Sequence, residues 1–201
     1  MSVVVAIKEN GKIFIGADSQ CTRGGTRRTL SNPNNYKVWK VNDAEHCIMA
    51  HVGLAREANV IRVARDLVPE IRQIKDTVDF EFVVTRLVPR MIDELEENRI
   101  LRKDDGLPTF ESSFLFAYKD RLFYITKNGT VFEIDDCCAI GSGECEALGS
   151  LLSTEGEPCE ERIKKAIRAS AANDIYVDYP IVITNTESGE FKVIYEKDLR
   201  N

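Results

Sequence analysis

With 201 residues, 43% apolar content and a formal net charge of -6, the chain carries enough apolar material for one substantial core and is read as one domain over residues 1–201. The acidic balance argues against nucleic acid as a partner, because like charge repels a phosphate backbone. No apolar run approaches the roughly 18 residues that cross a bilayer, and no basic-then-apolar leader opens the chain, so a cytoplasmic location away from membranes is expected.

Two apolar runs, Val3 to Ile7 and the stretch closing on Gly16-Ala17-Asp18-Ser19, flank Asn10-Gly11. Asn-Gly between such runs is a strong hairpin signal, so strands are predicted over 3–9 and 12–18. Residues 19–35 hold Gly, Thr, Ser, Asn and Pro without periodicity and are read as a long loop, its basic stretch Arg23 to Arg28 being a solvated flexible segment or, as the alternative, a site for an acidic ligand or partner. Alternation from Tyr36 to Val41 predicts a half-buried strand, paired with Cys47 to Val52 across an Asn42-Asp43 turn.

After Gly53 the period becomes helical, with Leu54, Ala58, Ile61 and Val68 on one face and Pro69 as a kink or end. A second helix is predicted over 79–98 with the stripe Phe80, Val84, Leu87, Met91 and Leu95, and with Pro89 inside it. Residues 99–108 read as a charged connector. A β-meander follows over 112–118, 122–126 and 131–134, then helices over 143–152 and 160–172 and closing strands over 181–184 and 191–195. This order implies an α+β fold of two antiparallel sheets stacked face to face with helix pairs outside.

Six cysteines without a paired C-x-x-C set, and only two histidines, His46 and His51, argue against a metal site and make a Ser-His-Asp triad improbable. No cofactor is expected: Gly141-x-Gly143 is followed by Glu146 where a dinucleotide fingerprint needs glycine, and no phosphate loop occurs. The feature with chemical content is Ser2. A small residue after Met1 permits trimming of the methionine, which leaves a hydroxyl and a free α-amine on one residue. That amine titrates at roughly 7.7 to 8.0 and can serve as the base for its own hydroxyl. Such a site needs a cation, a carboxylate to hold it and a backbone donor for the oxyanion; Lys37, Asp18 and the Gly53 amide stand at predicted strand ends. Each also has a plain structural role available: a turn at Asp18-Ser19, a solvated Lys37, and a tight connection at Gly141-Ser142-Gly143.

The ordered set Ser2, Gly16-Ala17-Asp18-Ser19-Gln20-Cys21-Thr22, Tyr36-Lys37-Val38, Val52-Gly53-Leu54-Ala55-Arg56-Glu57-Ala58, Ile140-Gly141-Ser142-Gly143 and Asn173-Asp174-Ile175-Tyr176 resembles the proteasome β-subunit family of N-terminal nucleophile hydrolases, in a bacterial or archaeal-type form, across nearly the whole chain. The resemblance implies a four-layer αββα sandwich. It also implies Ser2 as nucleophile in place of the usual threonine, the Asp18–Lys37 pair beside it, Gly53 as oxyanion donor, and Ser142 with Asp174 orienting the amine. Thr22 is implied to pair through its backbone with a substrate strand, and Cys21, Asn35, Trp39, His51 and Ala55 to line the specificity pocket.

Three departures stand out. Serine loses the methyl that stiffens χ1. Val177 replaces a second serine beside the amine, and Arg56-Glu57 replaces Ala-Asp. Maturation is expected to need only loss of Met1. The implied activity is hydrolysis of peptide bonds in a peptide or unfolded protein by a homo-oligomeric ring or stacked assembly, with a separate ATPase unfoldase as a candidate partner. The alternatives are a catalytically silent ring subunit of the same fold and an amidase acting on a small molecule.

Overall fold

A computed structural model of the protein describes residues 2–41, 44–65, 67–69 and 78–199. Strands β1 (Val3–Glu9) and β2 (Lys12–Ala17) form the expected hairpin. Asn10 and Gly11 both take positive φ, 52° and 75°, as a two-residue turn matched to strand twist requires.

The loop expected over 19–35 is instead a second hairpin, β3 (Gln20–Arg23) and β4 (Thr26–Thr29), followed by a 3₁₀ turn at Pro33–Asn35. Its turn is Gly24-Gly25, and β4 is exposed throughout, so no apolar alternation marked it. Next come β5 (Val38–Lys40) and β6 (Cys47–Val52); the expected Asn42-Asp43 turn between them lies outside the described residues.

Helix α1 (Ala55–Val63) ends before the predicted Pro69 stop, because Ala64 leaves helical geometry at ψ 125° and the chain bends to bury Leu67 and Val68. Leu54, expected on the buried face, is 41% exposed. The second predicted helix, α2, is a composite: Phe80–Phe82, a π-helical turn Val83–Leu87, and Val88–Glu97. Pro89 donates no N–H and its ring crowds the carbonyl four residues back, and a wide turn just before it relieves both problems. The extra residue rotates the first turn, so Phe82 and Val83 enter the core while Phe80 and Val84, predicted to be buried, are 46% and 40% exposed.

The charged connector holds a short exposed hairpin, β7 (Arg102–Asp104) and β8 (Leu107–Thr109), turned at Asp105-Gly106. The meander forms as expected from β9 (Ser113–Tyr118), β10 (Arg121–Ile125) and β11 (Val131–Ile134). Strand β12 (Cys137–Gly141), not predicted, precedes α3 (Glu144–Ser153) and α4 (Cys159–Asn173), and β13 (Ile181–Asn185) and β14 (Lys192–Ile194) close the chain.

Among the described residues two five-stranded antiparallel sheets result, ordered β12-β1-β2-β13-β14 and β11-β10-β9-β6-β5. Val4, Ala6, Ile13 and Ile15 of the first pack with Ile48, Ala50, Leu115 and Leu122 of the second. The opposite face of β1, Val3, Val5 and Ile7, packs under Leu151, Ile163 and Ile167 of α3 and α4. Burial on both faces accounts for its unbroken apolar run. Met49, Phe116 and Phe123 of the second sheet carry Ile61 of α1 and Leu87 and Met91 of α2. The layers are αββα. At Gly16 the approach of α4 is close enough that a Cβ would sit 2.3 Å from Ile163 Cγ2. No helix among the described residues is long and apolar enough to cross a membrane.

Candidate active site

Two strand registers bring the start of the chain to its neighbours. The Asn10-Gly11 turn sets Val4 opposite Ala17, which places Asp18 beside Val3 one step further. There the Asp18 N–H donates to Val3 O (3.2 Å) and the Val3 N–H donates to Asp18 Oδ1 (2.9 Å). On the other side of β1, Val3 stands opposite Gly141, so Ser2 meets Ser142 and its nitrogen donates to Ser142 Oγ at 3.0 Å. Gly141 has φ 113°, and a Cβ there would lie 2.1 Å from Ser2 O, so only glycine lets the two strands close.

Asp18 is anchored by further donors, the N–H groups of Gln20 (2.9 Å) and Asp178 (3.4 Å). Its remaining partner is Lys37, whose Nζ lies 2.6 Å from Asp18 Oδ1, with the two side chains 5% and 0% exposed. Lys37 stands just before β5, where its carbonyl accepts the His51 N–H from β6 (2.9 Å). Burial holds the Lys37 ammonium below its usual pKa of 10.5, and the nearby Asp18, Cys21 and Asp174 oppose that fall.

Ser2, Lys37 and Gly53 border a cavity of about 200 Å³. Cys21, Thr22, Asn35, His51 and Ala55 from the expected set line it too. Trp39 does not. It is 4% exposed in the core beneath α1 and backs the wall, with the His51 ring edge-on to it at 5.8 Å and the Arg62 guanidinium over its face at 4.7 Å. Asp174 also stands off the cavity: its Oδ1 accepts the Tyr176 N–H (2.8 Å), while Oδ2 is buried with no hydrogen-bond partner among the described residues.

Four lining residues were not anticipated: Gln20, Leu30, Asn59 and Arg62. Asn59 and Arg62 were legible in principle, since with Ala55 they follow the i, i+4, i+7 spacing of one helix face. Arg62 also donates from Nη2 to Tyr36 O, and burial lowers its pKa from 12.5 to about 10, which leaves it cationic at neutral pH. The His51 pKa falls from 6.5 to about 3, first through burial and then through Lys37 and Arg62, so the ring is neutral.

The loop at Gly53 is held from behind. Gly53 has φ 129°, and a Cβ would meet Ser112 Cα at 2.6 Å. Ser112 Oγ accepts the Leu54 N–H (2.9 Å), and the fully buried Glu57 accepts the Glu111 N–H (2.8 Å). No group of three or more His, Cys, Asp or Glu side chains among the described residues is arranged to hold a metal ion.

A four-layer αββα sandwich whose second residue lies beside a buried lysine–aspartate pair has the architecture of N-terminal nucleophile hydrolases. The family model for proteasome subunits matches residues 2–184, and the chain belongs to that family. It is 27% identical to an ATP-dependent protease subunit HslV from Caldicellulosiruptor saccharolyticus, over 90% of this chain and 96% of the relative. Among solved structures, Thiobacillus denitrificans BPH superposes with a TM-score of 0.70 at 22% identity, over 91% of this chain and 96% of that one. HslV from Trypanosoma brucei gives a TM-score of 0.65 at 19% identity, over 91% and 98%.

Proposed function

We propose that the protein is a proteasome-like peptidase in which Ser2, freed by loss of Met1, is the nucleophile. The observation that carries this is the convergence of Ser2, Lys37 and Gly53 on one cavity, with Lys37 held by Asp18 at 2.6 Å. Ser2 Oγ attacks the peptide carbonyl carbon while the α-amine takes its proton. The Gly53 N–H stabilises the oxyanion, the ammonium returns the proton to the leaving amine, and water then releases the acyl group from Oγ by the reverse sequence. The buried Lys37 ammonium favours the neutral, basic form of the neighbouring amine. Ser142 Oγ accepts from the Ser2 nitrogen, and Asp174, whose Oδ2 is buried with no hydrogen-bond partner among the described residues, is the second group assigned to orient the freed amine. Strand β3, paired only with β4 among the described residues, offers Thr22 an edge for an extended substrate.

The relatives named as ATP-dependent protease subunits support assembly of this chain into a homo-oligomer fed by a separate ATPase. Intact-mass measurement and N-terminal sequencing test the first requirement, a chain that begins at Ser2. Labelling by an electrophile directed at terminal hydroxyl nucleophiles tests the second. Adduct formation that disappears in Ser2→Ala and Lys37→Ala is expected; an adduct that survives Ser2→Ala overturns the proposal.

A further inference from the structure

We infer that Glu57 is a positioning residue for the oxyanion donor: it holds residues 111–112 in place behind Gly53 and so fixes the direction in which the Gly53 N–H points. That N–H acts on an oxyanion bonded to Ser2, the reading on which this inference rests. Gly53 lies between two residues whose backbones are held by one neighbouring stretch. On one side, Val52 stands opposite Ser113 at the end of the β6–β9 ladder. On the other, the Leu54 N–H donates to Ser112 Oγ at 2.9 Å, and that hydroxyl in turn donates to Leu54 O at 3.4 Å. Leu54 is the N-cap of α1 and brings no capping side chain, so the start of the helix is held from another element. The contact leaves little slack: a Cβ on Gly53 would lie 2.6 Å from Ser112 Cα and 2.7 Å from Glu111 O. A displacement of residues 111–112 therefore moves Gly53.

Glu57 closes this ring of contacts. Strand β9 begins only at Ser113, so the Glu111 N–H lies outside the ladder, and it donates to Glu57 Oε1 at 2.8 Å. Glu57 stands in the first turn of α1, where its own N–H donates to Leu54 O at 3.1 Å. The path thus runs from Gly53 through Leu54 and Glu57 to Glu111 and Ser112, and back to Gly53.

A second and independent sign is the cost of the arrangement. Glu57 is fully buried, and its Oε2 has no hydrogen-bond partner among the described residues. Burying a carboxyl group for one hydrogen bond is unfavourable, and an apolar side chain would pack α1 without that penalty. What the bond supplies is placement. An oxyanion donor works by its alignment with charge that develops in the transition state, so a small displacement weakens catalysis without weakening substrate binding.

The test compares Glu57→Gln, which keeps an accepting oxygen for the Glu111 N–H, with Glu57→Met, which keeps the length and loses the acceptor. Peptide cleavage is expressed per active site titrated to completion with the hydroxyl-directed electrophile, so a loss of folded protein does not enter. Glu57→Met is expected to lower kcat about tenfold and to change KM by less than about threefold, since a misplaced donor is felt only in the transition state. Glu57→Gln is expected to keep kcat within about threefold of the parent. A peptide aldehyde, whose adduct with Ser2 Oγ carries the oxyanion, is expected to bind Glu57→Met about tenfold more weakly, and the matching peptide alcohol, which forms no adduct, equally well. Where Glu57→Met fails to fold, Glu57→Asp carries the comparison with an acceptor one methylene short, and kcat is expected to fall about fivefold. Four results overturn the inference while the Ser2 assignment stands: an unchanged kcat in the folded variant, a loss carried by KM, aldehyde and alcohol weakened alike, or Glu57→Gln as impaired as Glu57→Met. Cleavage that survives Ser2→Ala overturns that assignment, and the inference with it.

Discussion

The floor of the cavity and its far wall hold similar groups under different rules. On the floor, each Asp18 carboxylate oxygen is met by backbone N–H groups from Val3, Gln20 and Asp178 as well as by Lys37, so the charges are satisfied before any ligand arrives. On the wall, His51 Nδ1 is buried with no hydrogen-bond partner among the described residues, while the Arg62 guanidinium lies over the Trp39 ring and donates to the Tyr36 carbonyl. A satisfied buried pair is rigid and holds reacting groups in place, whereas a buried polar atom left unmatched carries a desolvation cost in the folded chain.

The sharpest way to break this contrast is at the floor. Ser2→Ala is expected to lower peptide cleavage by about 10³-fold or more while leaving the urea midpoint nearly unchanged, because the serine hydroxyl is a reacting group and the substitution removes one atom. Asp18→Asn comes next. It leaves Lys37 as a buried, uncompensated cation and is expected to cost about 3–5 kcal/mol in urea unfolding. Lys37→Met should cost less, about 1–3 kcal/mol, since the Asp18 carboxylate keeps its backbone donors. Equal losses for the two would show that the backbone anchoring of Asp18 contributes nothing.

The wall is probed by pH. His51 has a pKa of about 3 in the folded protein against 6.5 when unfolded, so between those values the unfolded chain binds the extra proton. Stability from this group is complete above pH 6.5 and is lost as the pH falls toward 3. Unfolding free energies from urea titration at pH 7 and pH 4 are expected to differ by a few kcal/mol, and His51→Gln is expected to narrow that difference. At the loop between floor and wall, Gly53→Ala meets both a positive φ and the Ser112 backbone, with an expected loss of about 1–3 kcal/mol and reduced turnover.

Much of the floor was legible in the amino-acid order. The Asn10-Gly11 turn implies the β1–β2 register, and that register alone carries Asp18 to the start of the chain. The wall was less so. The resemblance implies Trp39 for the cavity lining, but α1 covers it and presents Arg62 there instead. The hairpins within 20–29 and 102–109 were missed because exposed two-stranded ribbons need no apolar alternation. In α2, the stripe through Phe80 and Val84 failed because a π-helical turn ahead of Pro89 shifts the helical phase, which a fixed period cannot register.

By itself the sequence determined the β1–β2 hairpin, the central meander and the order of the main helices, because turn chemistry and hydrophobic period are local properties, and its resemblance to the proteasome family implied the αββα layers and the set of residues around Ser2. Only the tertiary structure decided that Ser142 reaches the Ser2 nitrogen, that Lys37 is buried against Asp18, and that Arg62 and His51 share one wall. Those relations join residues from different strands and from a helix laid across them, and burial and charge at such meetings depend on packing that no local pattern encodes.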